Sequence, residues 1–110
     1  MQRKTFGQEM QEVKDEILLL SSMVEQAVMD SATALKENNL EEARQVLVRD
    51  ILINRKRFEI EYSIMVLIAT QQPIAHDLRL LASSLDICTE LERMGDYAKG
   101  MLISICARKV

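Results

Sequence analysis

The chain has 110 residues, a formal net charge of −3, 48 % hydrophobic and only 4 % aromatic residues, one proline and three glycines. That length suits a single domain over 1–110 with one modest core. The apolar content excludes a disordered tail, and the charge and scarce aromatics exclude the positive field and base-stacking platforms of a nucleic-acid binder. Few breakers mean few turns, and a composition rich in leucine, isoleucine and methionine favours helix packed on helix.

In chain order, the first predicted helix covers about residues 6–36. Its apolar stripe runs Phe6, Met10, Val13, Ile17, Leu20, Val24, Ala27 and Leu35, in steps of three and four, with Ser31 its only hydroxyl. The run Glu37, Asn38, Asn39 breaks the pattern, since asparagine tolerates the left-handed conformation that ends a helix. Asn39 then caps a second helix, with Glu42 placed to complete a capping box.

That second helix is expected over about residues 40–70. Its stripe begins with Ala43, Val46 and Leu47 and ends with Ile64, Met65 and Ile68, while its middle carries Asp50, Asn54, Arg57 and Glu61. Gln72 precedes Pro73 and is pushed out of the helical region, and Pro73 suits the first turn of a third helix over about residues 74–107. The third stripe reads Ile74, Leu78, Leu81, Leu85, Cys88, Glu92, Asp96 and Ile103. Three long helices joined by two short connections predict an all-α, antiparallel, up-down-up three-helix bundle.

Cys88 and Cys106 share one helix, about 27 Å apart at 1.5 Å per residue, which is beyond disulfide reach. The N-terminal stretch MQRKTFGQEM lacks an apolar signal core, and the longest apolar run, residues 64–69, is too short to span a bilayer. These features read as a soluble intracellular protein without membrane insertion. Ser21 and Ser22 have no histidine within their own helix, and there is no glycine-rich phosphate loop, so catalysis finds no support. His76, the single histidine, reads as a surface residue. Met23, Met29, Met65, Met94 and Met101 read as packing for the core or a partner surface.

The unusual feature is Glu92 followed by Asp96 on the stripe of the third helix. Asp50 and Asn54 repeat that i, i+4 spacing on the second helix. Glu92 lies 19 positions after Pro73 and Asn54 lies 19 before it, so antiparallel helices bring the two pairs to one level. A carboxylate in a core needs a partner. Arg57 could pair with Glu92 or Asp96, Asn54 and a hydroxyl could form a hydrogen-bond network, or clustered oxygens could hold a metal ion. The ordinary reading is a structural ion-pair network or a partly solvated end of the bundle. Gly95, in mid-helix, costs up to about 1 kcal/mol against alanine. Either a closely approaching backbone, a bound ion or a tolerated defect accounts for it.

Three segments carry a family resemblance. LERMGDYA (91–98), QQPIAHDLRLL (71–81) and the trio Arg49, Asp50, Asn54 resemble the PhoU family of phosphate-uptake regulators. Glu92, Arg93, Gly95 and Asp96 match its E-R-x-G-D pattern, and Gln72, Pro73, Ala75, Asp77, Leu78 and Arg79 match its Q-P-x-A-x-D-L-R loop. The resemblance implies a three-helix bundle, usually present twice per chain. It also implies a non-catalytic cytoplasmic regulator that represses the phosphate-starvation response. The implied partners are the ATPase of the phosphate ABC transporter and a phosphate-sensing histidine kinase.

Some members of the family carry iron or zinc clusters on E/D-x-x-x-D motifs. Glu92 and Asp96 match that motif in full, Asp50 matches its first position, and Asn54 replaces the acid at its last. Oxygen donors also suit manganese or magnesium. Gly100 stands where the family often has asparagine, which removes one potential oxygen ligand, and only one repeat is present. The alternative is a generic helical dimerisation or docking module with a structural polar layer and no metal. Homo-oligomerisation is expected in either case. Leu18, Leu19 and Met23 on the first helix, and Leu91, Met94, Met101 and Ile105 on the third, form second stripes that call for a partner.

Overall fold

The computed structural model describes residues 4–108 and consists of three helices, α1 (Phe6–Glu37), α2 (Leu40–Gln71) and α3 (Ala75–Arg108). Met1, Gln2 and Arg3 of the N-terminal stretch, with Lys109 and Val110, lie outside the described residues. Each helix packs on both others. The longest dimension, 52 Å, is about the length of a 34-residue helix at 1.5 Å per residue, so the molecule is a rod one helix long.

The helix ends follow local chemistry. Thr5 caps α1 through a capping box: its hydroxyl accepts from the Gln8 amide, and the Gln8 side chain accepts from the Thr5 amide. The Thr-x-x-Gln signature was readable but not part of the expectation. Asn38 ends α1 in the left-handed conformation, φ 54°. Asn39 accepts from the Glu42 amide, but only half of the expected box forms. The Glu42 carboxylate turns instead to Arg49, which also holds Asp30.

The second connection departs from expectation. Pro73 does not open α3. Gln72 ends α2 at φ 45°, Ala75 begins α3 at φ 40°, and Pro73 bridges between them. Both are non-glycine residues in the left-handed region, a conformation that costs on the order of 1–2 kcal/mol each. A proline between the helices removes the amide that would let one helix run into the next.

The core is a strict heptad seam on all three helices. On α1 it comprises Met10, Ile17, Val24 and Ser31, interleaved with Val13, Leu20, Ala27 and Ala34. On α2, Val46, Ile53, Ile60 and Leu67 alternate with Ala43, Arg57 and Ile64, and half-buried Asp50 fills the remaining place in that register. On α3, Leu81, Cys88 and Leu102 share the seam with Leu91, Ala98 and Ile105. Burying each large side chain contributes about 1.5–3 kcal/mol. Ser31 is fully buried and donates its hydroxyl to the Ala27 carbonyl at 2.6 Å, which satisfies it without a partner helix.

This seam corrects several expectations. Ile74, Leu78 and Ile103 are exposed on α3, and Met65 is exposed on α2. Glu92 and Asp96 are exposed as well, so they do not belong to the buried stripe. Their series 81–85–88–92–96 ends in two steps of four, each advancing about 40° past the seam, whereas the buried series continues through 91, 98, 102 and 105. The same register overturns part of the proposed second stripe, because Leu91 and Ile105 are core residues. Met94 remains 44 % exposed, and Leu18 and Leu19 are exposed. Of the methionines assigned to the core or a partner surface, Met23 and Met101 are half-buried, whereas Met29, Met65 and Met94 face outward.

Candidate functional site

Where the apolar seam should continue midway along α2, Asp50 and Arg57 occupy core positions. Opposite them, α3 has Gly95, so no side chain fills the gap. The result is a small cleft lined by Asp50, Asn54, Arg57, Glu92, Gly95 and Asp96, floored by Leu20, Val24, Ile53 and Leu91. The two i, i+4 pairs, far apart in the chain, thus meet at one level of the α2–α3 seam.

The polar groups are largely held by the chain itself. The Asn54 amide donates to Asp50 Oδ2 at 3.1 Å, and Lys99 Nζ reaches the same oxygen at 3.0 Å. Arg57 Nη1 reaches Glu61 Oε1 at 2.7 Å and Glu92 Oε2 at 3.3 Å. Arg57 is 8 % exposed, and its guanidinium lies 4.3 Å from the centroid of the neighbouring Phe58 ring. Its buried Nε has no acceptor among the described residues. Asp96 is the carboxylate of the cleft that no described cation pairs. Lys99, Glu61 and Phe58 were absent from the expected site. The first two were findable, Lys99 as a lysine one turn beyond Asp96 and Glu61 as the i, i+4 neighbour of Arg57.

A β-carbon added at Gly95 would meet Asp50 Oδ1 at 4.0 Å, an ordinary contact. Its nearest neighbour is therefore a carboxylate and not a closely approaching backbone, and what the glycine provides is the open volume of the cleft. Gly100 faces open space. Arg93 is exposed and pairs with Glu90 at 3.0 Å. Asp77 is half-buried in the first turn of α3, its amide donating to the Ile74 carbonyl at 3.1 Å. Arg79 and His76 are exposed. Asp77, Arg79 and His76 lie at the Pro73 connection, and neither they nor Arg93 and Gly100 line the cleft.

In this arrangement the oxygen donors that a metal ion would use are partly engaged by the chain's own cations. Asp50 and Glu92 already face Lys99 and Arg57, and among the described residues no three acidic, histidine or cysteine side chains are grouped closely enough to hold an ion. Cys88 is buried on the same seam, and burial is the chief cause that pushes its thiol above its ordinary range, with nearby Glu61 adding to it. Cys106 is half-buried, and both cysteines are free. Among the described residues no helix is long and apolar enough to cross a membrane.

Comparison with known proteins places this geometry. The chain is 38 % identical over 99 residues to a phosphate-specific transport system accessory protein PhoU homolog of Clostridium acetobutylicum, covering 89 % of this chain and 45 % of that protein. It is 32 % identical over 107 residues to the homolog of Streptococcus pneumoniae, covering 97 % and 50 %. It is also 32 % identical over 93 residues to the accessory protein PhoU of Escherichia coli K12, covering 84 % and 39 %. The chain spans half or less of the length of these relatives. No solved structure matches. The PhoU domain model matches residues 17–103, a span that holds every cleft residue and the whole Pro73 connection, and the chain belongs to the PhoU family.

Proposed function

We propose that this chain is a non-catalytic regulatory domain of phosphate uptake. In this reading it is a cytoplasmic adaptor that acts on the ATPase of a phosphate ABC transporter and on a phosphate-sensing histidine kinase, and it represses the starvation response. One observation carries the reading: Asp50 and Asn54 of the R-D…N segment on α2 and Glu92, Gly95 and Asp96 of the E-R-x-G-D segment on α3, the motifs of the family resemblance, line a single cleft. The relatives are named as accessory proteins of a phosphate-specific transport system, which is the source of the partner assignment. The test is expression of this chain in a bacterium that lacks its own PhoU and carries a phosphate-starvation reporter. The expected result is repression of the reporter in phosphate-replete medium, weakened by the Glu92→Ala, Asp96→Ala pair. Full derepression by a stably expressed wild-type chain overturns the reading and leaves a generic docking module.

Metal uptake at the cleft is a separate proposal. Iron, zinc, manganese or magnesium would be held by Asp50, Asn54, Glu92 and Asp96, and an ion there competes with Lys99 and Arg57 for the carboxylates. Uptake is therefore weak, and it strengthens when Lys99 is neutralised. Calorimetric titration of metal-free protein with manganese should show weak binding that Lys99→Gln increases and Glu92→Ala, Asp96→Ala abolishes. Identical heats for all three proteins end this proposal.

A further inference from the structure

Two open grooves run along the seam between α1 and α2, and neither contains a residue of α3. The first, about 590 Å³, is walled by Glu9, Glu12, Asp15 and Glu16 of α1 and by Lys56 and Glu59 of α2. Val13 and Ile60 form its floor. The second, about 350 Å³, lies between Met23 and Ala27 of α1 and Leu52 and Ile53 of α2. Heptad spacing makes the two one valley. Glu9, Glu16 and Met23 follow one another at seven-residue steps on α1, and Leu52 and Glu59 do so on α2. The α2 wall runs from Leu67 to Arg49, about 27 Å at 1.5 Å per residue, or about five helical turns.

The two ends of the valley differ in chemistry. At the first, Lys4 Nζ sits 2.8 Å from Glu12 and Lys56 pairs with Glu16. Glu12, and after it Glu9, raise the pKa of the Lys4 ammonium and hold it charged. Glu9, Asp15 and Glu59 pair with no cation among the described residues. This end therefore keeps an excess of negative charge after the chain's own lysines are seated. At the other end, Leu52 is 54 % exposed beside half-buried Met23. The one cation there, Arg49, is already engaged by Asp30 and Glu42.

We propose that this valley docks an amphipathic helix of a partner protein, apolar where it meets Met23 and Leu52 and lysine-rich where it meets Glu9, Asp15 and Glu59. A helix laid between two helices buries its apolar face in their groove, and the valley offers the length for it. Charge selects the class of partner. An acidic segment meets the unpaired carboxylates and is repelled. A lysine brings what the chain's own Lys4 and Lys56 bring, an aliphatic stem and an ammonium. A small cation engages the acidic end alone and leaves Leu52 bare. The valley uses none of the polar residues of the α2–α3 cleft and does not rest on the regulatory reading.

The probe is a fluorescent synthetic helix of about five turns, with leucines on one face of its first half and lysines on the same face of its second half. Anisotropy at low salt should show micromolar binding to the wild-type chain. Leu52→Glu, and separately the pair Glu9→Gln, Glu59→Gln, should each weaken it about tenfold, with helical circular dichroism unchanged. The pair Glu25→Gln, Asp86→Asn removes two exposed carboxylates that lie outside the valley and should leave binding intact. No binding by the wild-type chain at 100 micromolar peptide overturns the proposal. So does equal weakening by the two carboxylate pairs, which would mean that net charge alone attracts the peptide. Undiminished binding by Leu52→Glu also overturns it and reduces the valley to an acidic end that takes cations.

Discussion

Helix α2 breaks the inside–outside rule twice, and the two breaches differ in kind. On its inner face stands Arg57, a charged residue at a core position. On its outer face stand Phe58 and Tyr62, aromatic residues in water. The inner breach is answered within the chain. Glu61 and Glu92 neutralise the guanidinium, and both acids keep partial access to solvent, so the desolvation cost is moderate. The outer breach has no answer in the chain, because no described element packs over Tyr62 or Met65. A buried charge paired by its own fold is thus explained within one bundle, whereas the apolar stripe is covered by no described element. The two faces touch at one place, where the Phe58 ring stacks on the Arg57 guanidinium.

This contrast can be broken most directly at Arg57. Arg57→Ala removes the shared cation and leaves a hole in the seam. Because Glu92 retains 44 % side-chain exposure, the loss should be below that of a fully buried pair, about 2–3 kcal/mol in urea denaturation. Arg57→Leu should cost clearly less, since it refills the seam and leaves Glu61 and Glu92 in contact with water. Equal losses for the two variants would show that charge rather than packing governs the inner face.

Asp50 comes next. Asp50→Ala strands Asn54 and Lys99, and should cost about 1–2 kcal/mol, read in the same way. Lys99 itself is 42 % exposed and readily solvated, so Lys99→Gln should cost less than Asp50→Ala. The reverse order would mean that the cleft is held together from its rim.

The outer face should behave oppositely. Tyr62→Glu should change the stability of the isolated bundle by no more than about 0.5 kcal/mol, the usual range for a surface site, measured at concentrations low enough to dissociate any dimer. A larger loss would reveal a packing role within one chain and erase the contrast between the faces.

The smallest effect concerns the cysteines. A thiol reagent at neutral pH should modify Cys106 well before Cys88, because Cys88 is buried and its thiol is raised above the ordinary 9.0. With a folded pKa above the unfolded one, the contribution of Cys88 to stability is complete below the unfolded value. It is lost as pH rises through the folded one. Denaturation of a Cys88→Ala variant should accordingly lose that alkaline sensitivity.

Much of the fold was legible because the heptad register repeats in each segment and the breakers are so few. The helix bounds agree with expectation to within a residue, set by Asn38, Asn39, Gln72 and Pro73, whose conformational preferences are local. The candidate site was legible in part. Equal distance from Pro73 predicted that Asp50 and Asn54 would meet Glu92 and Asp96, and Arg57 was among the partners considered. Helical periodicity by steps of three or four did not reveal that Glu92 and Asp96 stand at the rim. A drift of 40° per step decides that, and only a neighbouring helix shows where the seam lies. Gly95 as the source of the cleft volume was invisible for the same reason.

By itself the sequence determined the element count, the antiparallel order and the level of the polar layer, since these follow from chain-local capping, proline chemistry and distance along a helix. Tertiary structure alone decided which of two apolar stripes on α2 turns inward. Both Ile60 and Tyr62 satisfy a helical repeat, and the choice rests on which stripe α1 and α3 can cover together without burying Arg55 and Glu59 unpaired.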